Sequence, residues 1–513
     1  MFRYSTGVFF LLAVLLAWTI VKSKLKKRRN KAKAAALGCL PPPELRSTNL
    51  IGNSILRESM KATKEDRGPQ YVVEKMDSVS PDCHTIKVPI IDYEIVVTRD
   101  PENAKVLFSS PDFDISHTRQ LSWMPLLGKG IFTSRGDTWK HSRALLRPQF
   151  AREMISDPQL EEHHLQNLWG KLPADAATGW TATADLAPLF FKFTLDTATE
   201  FIFGTSTNSL QQSDEKKDLS SHFNAAKVWI DKRGALAKFY WLMNSKEFKE
   251  HCATIHKFAD GLVADRLAHP PEKLSADPEK GGGRFNLLNE LAKETQDPRE
   301  LRNETLHVLI AGRDTTGCLL GWVMYFLARH PAVFAKLRSL ILERFGEHPA
   351  DFRTLNSQVP YLQWIISETL RVVTVIPLNE RIALRDTVLP RGGGPDGKAR
   401  VFVPEGTQVL IPLYAMQHRK DLWGDDVEEF RPERWESHRP GWEFIPFGAG
   451  ARKCLGQQFG RQEVSYVISR FCQKYDRIEN MEQGDGRVRL HHAIENRSGT
   501  GVQVRLHEAK AAS

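Results

Sequence analysis

The stretch FIPFGAGARKCLGQQFG (444–460) sets one cysteine, Cys454, among four glycines and beside Arg452 and Lys453, just ahead of an apolar helical pattern. A thiol so placed can ligate a metal. A ligating thiolate needs a lowered pKa and hydrogen-bond donors aimed at the sulfur. Gly448, Gly450 and Gly456 let the backbone turn closely round a large flat partner and leave amide N–H groups to point at the sulfur. A helix beginning near Leu455, with Leu455, Phe459, Val464, Val467 and Phe471 as its buried face, would add the positive end of its dipole. A small buried cysteine beside a glycine turn is the competing reading, and the loop alone does not separate the two.

Three other sets of residues have spacings that bear on chemistry. A helix expected from about 303 to 330, roughly 42 Å long, reads AGRDTT at its centre (311–316). Ala311, Gly312 and Thr315 lie on one stripe, small enough to admit a flat cofactor. Arg313 and Asp314 are charges in an apolar helix, and such charges need partners or a function. In SETLR (367–371), Glu368 and Arg371 are three apart and share a helix face, as any exposed ion pair might be arranged to do. Trp139 and Arg143, four apart within 130–150, also face one way, as they would on an ordinary amphipathic helix.

Together these motifs resemble a known family. Phe447, Gly450, Arg452, Cys454 and Gly456 fill every fixed place of F-x-x-G-x-R-x-C-x-G, the haem-thiolate loop of the cytochrome P450 family. AGRDTT resembles its oxygen-activation motif, SETLR its E-x-x-R, FRPERW (430–435) the segment that supplies a third partner, and Trp139/Arg143 its W-x-x-x-R helix. The resemblance spans roughly residues 40–510, with the motifs in the family's order. It implies haem b (iron protoporphyrin IX) with Cys454 as the proximal iron ligand, whose axial thiolate favours O–O cleavage. It implies Phe447 and Gly456 close to that ligand. It gives Trp139, Arg143, Arg381 and Arg452 to the haem propionates, and makes Glu368, Arg371 and Arg434 a buried structural triad. Thr315 and Asp314 become the alcohol and acid that deliver protons. One departure stands out: Thr374 occupies the place, six residues after the glutamate, where the family usually has proline.

Within the family, LGCLPPP, AGRDTT, LPRGGGPDG, EEFRPERW and CLGQQF resemble fungal microsomal P450s that hydroxylate n-alkanes and fatty acids at the chain end. That resemblance implies a long-chain apolar substrate and a pocket drawing on residues 113–127, Val308, Val375, Ile376 and Leu378. A P450 of a secondary or xenobiotic pathway is the alternative, as is a haem-thiolate isomerase or dehydratase; a non-catalytic haem sensor is a third class. Enzymes of the isomerase type typically lack an acid–alcohol pair, so Asp314–Thr315 favours the monooxygenase.

The elements that must position these residues read as mainly helical with small sheets, the P450 fold. Helical periodicity runs through 150–170, 185–205, 250–268, 300–330, 332–345, 360–372 and 456–474. Strand-like runs occupy 85–97, 401–412 and 496–506. The segments 268–284 and 391–400 read as Pro/Gly-rich loops. There is no internal repeat, no G-x-G-x-x-G and no P-loop, so electrons must come from outside. The family implies NADPH–cytochrome P450 reductase, with Lys140, His141, Arg147, Lys453 and Arg461 as a basic docking face.

The formal charge of +9 comes from the N-terminus: residues 1–40 hold nine Lys/Arg and no acid, and the rest is balanced at 62 of each sign. Nucleic-acid binding therefore has no compositional support. The run GVFFLLAVLLAWTIV (7–21), extended from Tyr4 to Lys22, approaches the roughly 20 residues that cross a bilayer. Basic residues follow it and only Arg3 precedes it, which is the reverse of a cleaved signal and puts the following chain on the cytoplasmic side. The expectation is a membrane anchor and basic linker over 1–40 and a catalytic domain over 41–513. That arrangement is single-pass and, by the subfamily resemblance, in the endoplasmic reticulum membrane. PPP (41–43) would stiffen the junction. The six cysteines are scattered, with no disulfide framework and no zinc spacing.

Overall fold

A computed structural model describes residues 2–47, 53–80, 82–90, 93–151, 158–212, 219–269 and 285–510. Most of the expected loop 268–284 lies outside the described residues. The chain divides into two units: 1–57, 72–114 and 380–412 form one, and 58–71, 115–379 and 413–513 form the other.

In the first unit, alternating apolar residues build a five-stranded sheet. Its order is Thr85–Ile90, Tyr93–Thr98, Gln408–Pro412, Leu378–Ala383 and Phe113–Asp114. The run expected at 85–97 is a hairpin of the first two strands, paired antiparallel. Leu45, Ile55, Met76, Ile86, Val88, Ile95 and Val97 close its core. The run at 401–412 belongs to two sheets, because Gly406 turns the chain at φ +81° between them. The segment 391–400, expected as a loop, is largely the tip of a second hairpin, Thr387–Gly393 with Ala399–Val403. Asn103 stabilises that tip: its Nδ2 donates to the Arg391 carbonyl at 2.9 Å and its Oδ1 accepts from Arg391 N at 3.1 Å. A helix spans Phe2–Ala36. Most side chains of the 7–21 run are outside the described set. Among the described residues no single helix is long and apolar enough to cross a membrane. The bent pair Pro298–Arg329 and Pro331–Phe345 meets the length and composition jointly, but Pro298–Arg329 is a buried core helix.

In the second unit the helix expected from 303 starts earlier, at Pro298, and runs to Arg329. Asp297 caps it, accepting from Arg299 N at 2.9 Å, and proline suits the first helical position, where no amide donor is needed. Pro331 starts the next helix after His330. Packed along the long helix lies Leu186–Phe203. At their crossing a side-chain Cβ on Gly317 would sit 3.1 Å from Thr194 Oγ1 and 3.2 Å from Phe191, so only glycine permits this approach. A large core cluster, including Leu195, Phe223, Phe248, Leu306 and Leu309, surrounds them. The helix Leu219–Ala235, which sequence periodicity did not single out, carries three residues of the site described next, Ser220, Asn224 and Lys227.

Candidate active site

From Asn303 to Ala328 the long helix is buried except at Val308, Ala311, Gly312 and Thr315. Spacings of three, one and three residues put these four on one face. A side chain added at Gly312 would meet no atom within 4 Å. An apolar core helix thus has one partly accessible stripe, three of its four residues small, whose flat profile suits a planar cofactor. Thr315 Oγ1 donates to the Ala311 carbonyl at 2.6 Å.

Glycine conformation shapes the cysteine loop. Gly448 and Gly450 have φ of +66° and +64°, a region that disfavours other residues. The turn is closed by Cys454 N donating to the Phe447 carbonyl at 3.0 Å. Helix Gln457–Lys474 follows, starting two residues later than expected, with Gly456 as its cap. The Cys454 side chain is exposed, yet surrounding protein raises its thiol pKa. Exposure combined with desolvation marks a side chain on a cavity wall. The Gly456 amide donates to the sulfur and, with Arg143 and Lys453, opposes that rise. The remaining five cysteines are buried, and no group of three His, Cys, Asp or Glu among the described residues could hold a metal ion. Cys454 is thus the one exposed thiol.

Trp139, Arg143 and Arg452 converge beside this loop. The Arg452 guanidinium lies 4.4 Å and that of Arg143 5.9 Å from the Trp139 ring centre. Arg143 Nη1 donates to the Lys453 carbonyl at 2.8 Å, and Arg452 Nη2 to that of Ser134 at 2.9 Å. Two guanidinium groups on one indole form a cationic donor set suited to an anionic cofactor. His307, on the long helix, steadies the opposing loop. Phe132 N donates to its Nδ1 at 3.3 Å, and burial pushes its pKa down to about 3, so it stays neutral. Arg381 belongs to the first unit, where its guanidinium stacks 4.5 Å from the Phe108 ring centre.

The expected docking cations differ among themselves. Lys140 is exposed and bonded to Asp137, His141 Nε2 is 2.7 Å from Glu300, and Arg147 and Lys453 are exposed. Arg461 turns inward, donating to Gln363 Oε1 and Ser367 Oγ, and burial lowers its pKa to about 10. Of the expected pocket residues, Val375 is buried, Ile376 partly buried and Leu378 exposed.

Glu368 and Arg371 are fully buried and joined by two parallel bonds of 3.0 and 2.8 Å. Arg434 Nε reaches Glu368 Oε1 at 3.4 Å, while Trp435 Nε1 and Arg431 N donate to the same carboxylate at 2.9 and 3.0 Å. Arg371 also donates to the carbonyls of Val427 and Glu429.

Asp314 does not face water. Arg313 Nη1 donates to its Oδ1 at 2.7 Å, and Lys227 Nζ lies 3.1 Å from Oδ2. Lys227 is bonded to Glu495 as well, and Arg313 Nη2 reaches Ser220 and Asn224 on the Leu219–Ala235 helix. Lys227 and Glu495 were invisible to motif reading because they lie 87 residues before and 181 after Asp314. The only trace in sequence was that a buried Arg–Asp pair demanded further partners.

The family profile described as cytochrome P450 matches residues 72–490. Cytochrome P450 monooxygenase g430 of Fusarium sp is 38% identical over 507 residues, covering 96% of this chain and 88% of that protein. Cytochrome P450 52A13 of Debaryomyces hansenii is 37% identical over 496 residues, covering 93% of each. Cytochrome P450 52A3-B of Candida maltosa is 38% identical over 479 residues, covering 89% of each. A mainly helical chain, a partly accessible small-residue stripe on its longest core helix and a glycine-shaped thiol loop are accounted for together: this chain belongs to the cytochrome P450 family and is a P450 monooxygenase.

Proposed function

We propose that this protein binds haem b through Cys454 and hydroxylates a long-chain apolar substrate, an n-alkane or fatty acid, at or near its terminal carbon. The observation that carries the reading is the Cys454 sulfur: accessible, desolvated on its loop side, and receiving the Gly456 N–H. Bound haem would supply the activation of O2 and the insertion of one oxygen atom into a C–H bond. Trp139, Arg143 and Arg452, with Arg381, would hold the propionates, and Phe447 and Gly456 would shield the ligand. Thr315 Oγ1, on the partly accessible stripe, would be the last proton-bearing atom, and the Asp314 carboxyl would resupply it. Glu368, Arg371 and Arg434 would hold the fold around the cofactor rather than take part in chemistry.

Electrons would come from NADPH–cytochrome P450 reductase, since no flavin or nicotinamide motif occurs in the chain. Residues 1–40 would anchor a catalytic domain, 41–513, to the endoplasmic reticulum membrane with the domain facing the cytoplasm, which suits a membrane-dissolved substrate. The alkane and fatty-acid assignment is supported by the subfamily resemblance of AGRDTT, EEFRPERW and the 391–397 hairpin tip.

The test is a panel of alkanes and fatty acids given to the reduced, reductase-supported protein. We expect a thiolate-type carbon monoxide band that Cys454→Ser abolishes, and terminal or near-terminal alcohols that require NADPH. In-chain epoxides or hydroxylated aromatics as sole products would defeat the substrate assignment. Turnover without reductase would defeat the monooxygenase mechanism.

A further inference from the structure

Helix His117–Leu127 has a gap in its own hydrogen bonding, because Pro125 lies inside it. Proline brings no amide to the carbonyl four residues back, that of Leu121, and its ring pushes that carbonyl aside. A carbonyl freed in this way needs another donor. Arg233, near the end of helix Leu219–Ala235, supplies it. Its Nη2 donates to the Leu121 carbonyl at 3.0 Å and its Nε to the adjacent Ser122 carbonyl at 3.1 Å. Its Nη1 donates to the Met243 carbonyl at 2.9 Å, just past the short turn of helix Ala237–Leu242.

The guanidinium is enclosed. Arg233 is 3% exposed, and the rings of Tyr240 and Phe248 lie 5.0 and 5.5 Å from it. Burial lowers its pKa, yet an arginine stays charged at any working pH. Burying a cation is costly unless its N–H groups are bonded. Here the bonds run to carbonyls on two other elements, so the charge ties helix His117–Leu127 to the segment that follows helix Leu219–Ala235. A second side chain grips the same helix near its end: His256 Nε2, from helix Lys246–Ala268, donates to the Leu126 carbonyl at 2.7 Å. The C-terminal half of His117–Leu127 is thus held by side chains of two neighbouring helices in addition to its own ladder.

That helix also reaches the partly accessible stripe of the long helix. The Trp123 ring lies 6.1 Å from that of Phe132, and the Phe132 ring 5.5 Å from that of His307, the residue before Val308. Trp123 and Val308 pack against the same core cluster. A shift of His117–Leu127 therefore moves the apolar surface beside the stripe.

We propose that Arg233 is a positioning residue for the substrate: by standing in for the amide that Pro125 lacks, it fixes helix His117–Leu127 as one wall of the substrate site and so sets which carbon of a long apolar chain is presented for oxidation. The proposal rests on the monooxygenase reading above. The two residues act as a pair. Proline bends the helix, and the bend takes its angle from whatever fills the gap in the ladder. A long chain offers many similar C–H bonds, so selection among them depends on where the wall holds the chain.

The holoenzyme variants Arg233→Met, Arg233→Lys and Pro125→Ala, and the double variant of Arg233→Met with Pro125→Ala, test this. In Arg233→Met we expect KM to rise about tenfold, the lower range for losing a hydrogen bond to a charged group, with a much smaller change in kcat. The share of the favoured alcohol should fall as oxidation spreads to neighbouring carbons. Amide hydrogens of residues 117–127 should exchange faster while those of Gln457–Lys474 keep their protection. Adding Pro125→Ala should recover part of each loss, because the restored amide at position 125 can bond the Leu121 carbonyl. Arg233→Lys keeps the charge and loses the fork, and it stays informative if the methionine variant folds poorly: it should show the same shifts to a smaller extent. An unchanged product ratio and KM in either Arg233 variant that binds haem would overturn the proposal. So would equal losses with and without Pro125→Ala, since Arg233 would then act independently of the missing amide. A missing thiolate-type carbon monoxide band in the parent protein would instead identify failure of the underlying reading.

Discussion

Two buried charge clusters occupy the second unit, and they are built in opposite ways. At Glu368 both carboxylate oxygens are filled: Arg371 binds in a fork, and Arg434, Trp435 and Arg431 N complete the set. Arg371 spends its remaining donors on backbone carbonyls. At Asp314 the accounts are open. Lys227 is shared between two acids, the Arg313 Nε has no hydrogen-bond partner, and the nearby Asp231 is held protonated at neutral pH. Saturation fixes a structure, whereas leftover capacity leaves protons free to move. Of two sites with similar burial and similar residue types, only the second is arranged to change its protonation state.

The sharpest way to break this contrast is at Glu368. Glu368→Ala leaves Arg371 buried without its carboxylate, at a cost of about 3–5 kcal/mol. Chemical unfolding should show that loss, together with poor haem retention. A stable, pigmented variant would show that the saturated cluster is not what holds the fold. At the other cluster the effect should fall on chemistry instead. Asp314→Asn should reduce coupled product by about a hundredfold, the lower range for loss of a general acid. Its unfolding free energy should drop by less than that of Glu368→Ala, because Asp231 can ionise and replace the missing negative charge. Thr315→Ala should likewise divert NADPH electrons into peroxide. Full coupling in either variant would remove that residue from the proposed route.

The two clusters also differ in how far the sequence revealed them. Glu368 and Arg371 are three apart on one helix, and Arg434 lies in a recognisable six-residue segment, so pattern and family resemblance found all three. Cys454 was legible for the same reason: a local turn that requires glycine leaves a local signature. Trp139, Arg143 and Arg452 were found through motifs, although their convergence on one indole is a tertiary fact. Lys227, Asp231 and Glu495 carry no motif. They are joined by helix packing and by a hairpin near the C-terminus, and no spacing rule reaches across such distances. The fold followed the same division. The helices Pro298–Arg329, Pro331–Phe345 and Pro360–Val373, each opened by proline, were legible to within a few residues. Pro101–Ser109, by contrast, was not singled out, and the stretch read as 150–170 holds, among the described residues, a helix only from Pro158 to Trp169 and the end of Gly136–Ala151. The segment 391–400 of the hairpin at 387–403 reads as a loop because its glycines conceal strand pairing that Asn103, far away in sequence, completes.

Asp231 offers a milder contrast, through pH. Its carboxyl is pushed up to about 8 in the folded protein and titrates near 3.9 when unfolded. Between those values the folded state binds the extra proton, so stability should decline as pH rises from about 4 to about 8 and level off above that. Asp231→Asn should flatten the slope across this window and leave the curve elsewhere unchanged. Unfolding midpoints measured at several pH values check this, and an unaltered slope would mean that Asp231 is ordinarily ionised.

The smallest effect belongs at the residue that joins the two clusters. Thr374 caps the Arg371 helix in the left-handed region, at φ +46°. The position where the family usually has proline thus adopts a backbone that proline cannot enter. Gln417 Nε2 donates to Thr374 Oγ1 at 2.5 Å and to the Arg371 carbonyl at 3.0 Å. Asn496, the neighbour of Glu495, donates to the carbonyls of Val373 and Thr374. Thr374→Gly would relieve about 1 kcal/mol of backbone strain and lose a hydrogen bond of about the same worth, for a net change near zero. Coupling should stay normal, since Asn496 binds backbone and not the threonine side chain. A loss of coupling with stability intact would mean that the threonine hydroxyl helps register the hairpin that holds Glu495, and that the saturated cluster positions the poised one.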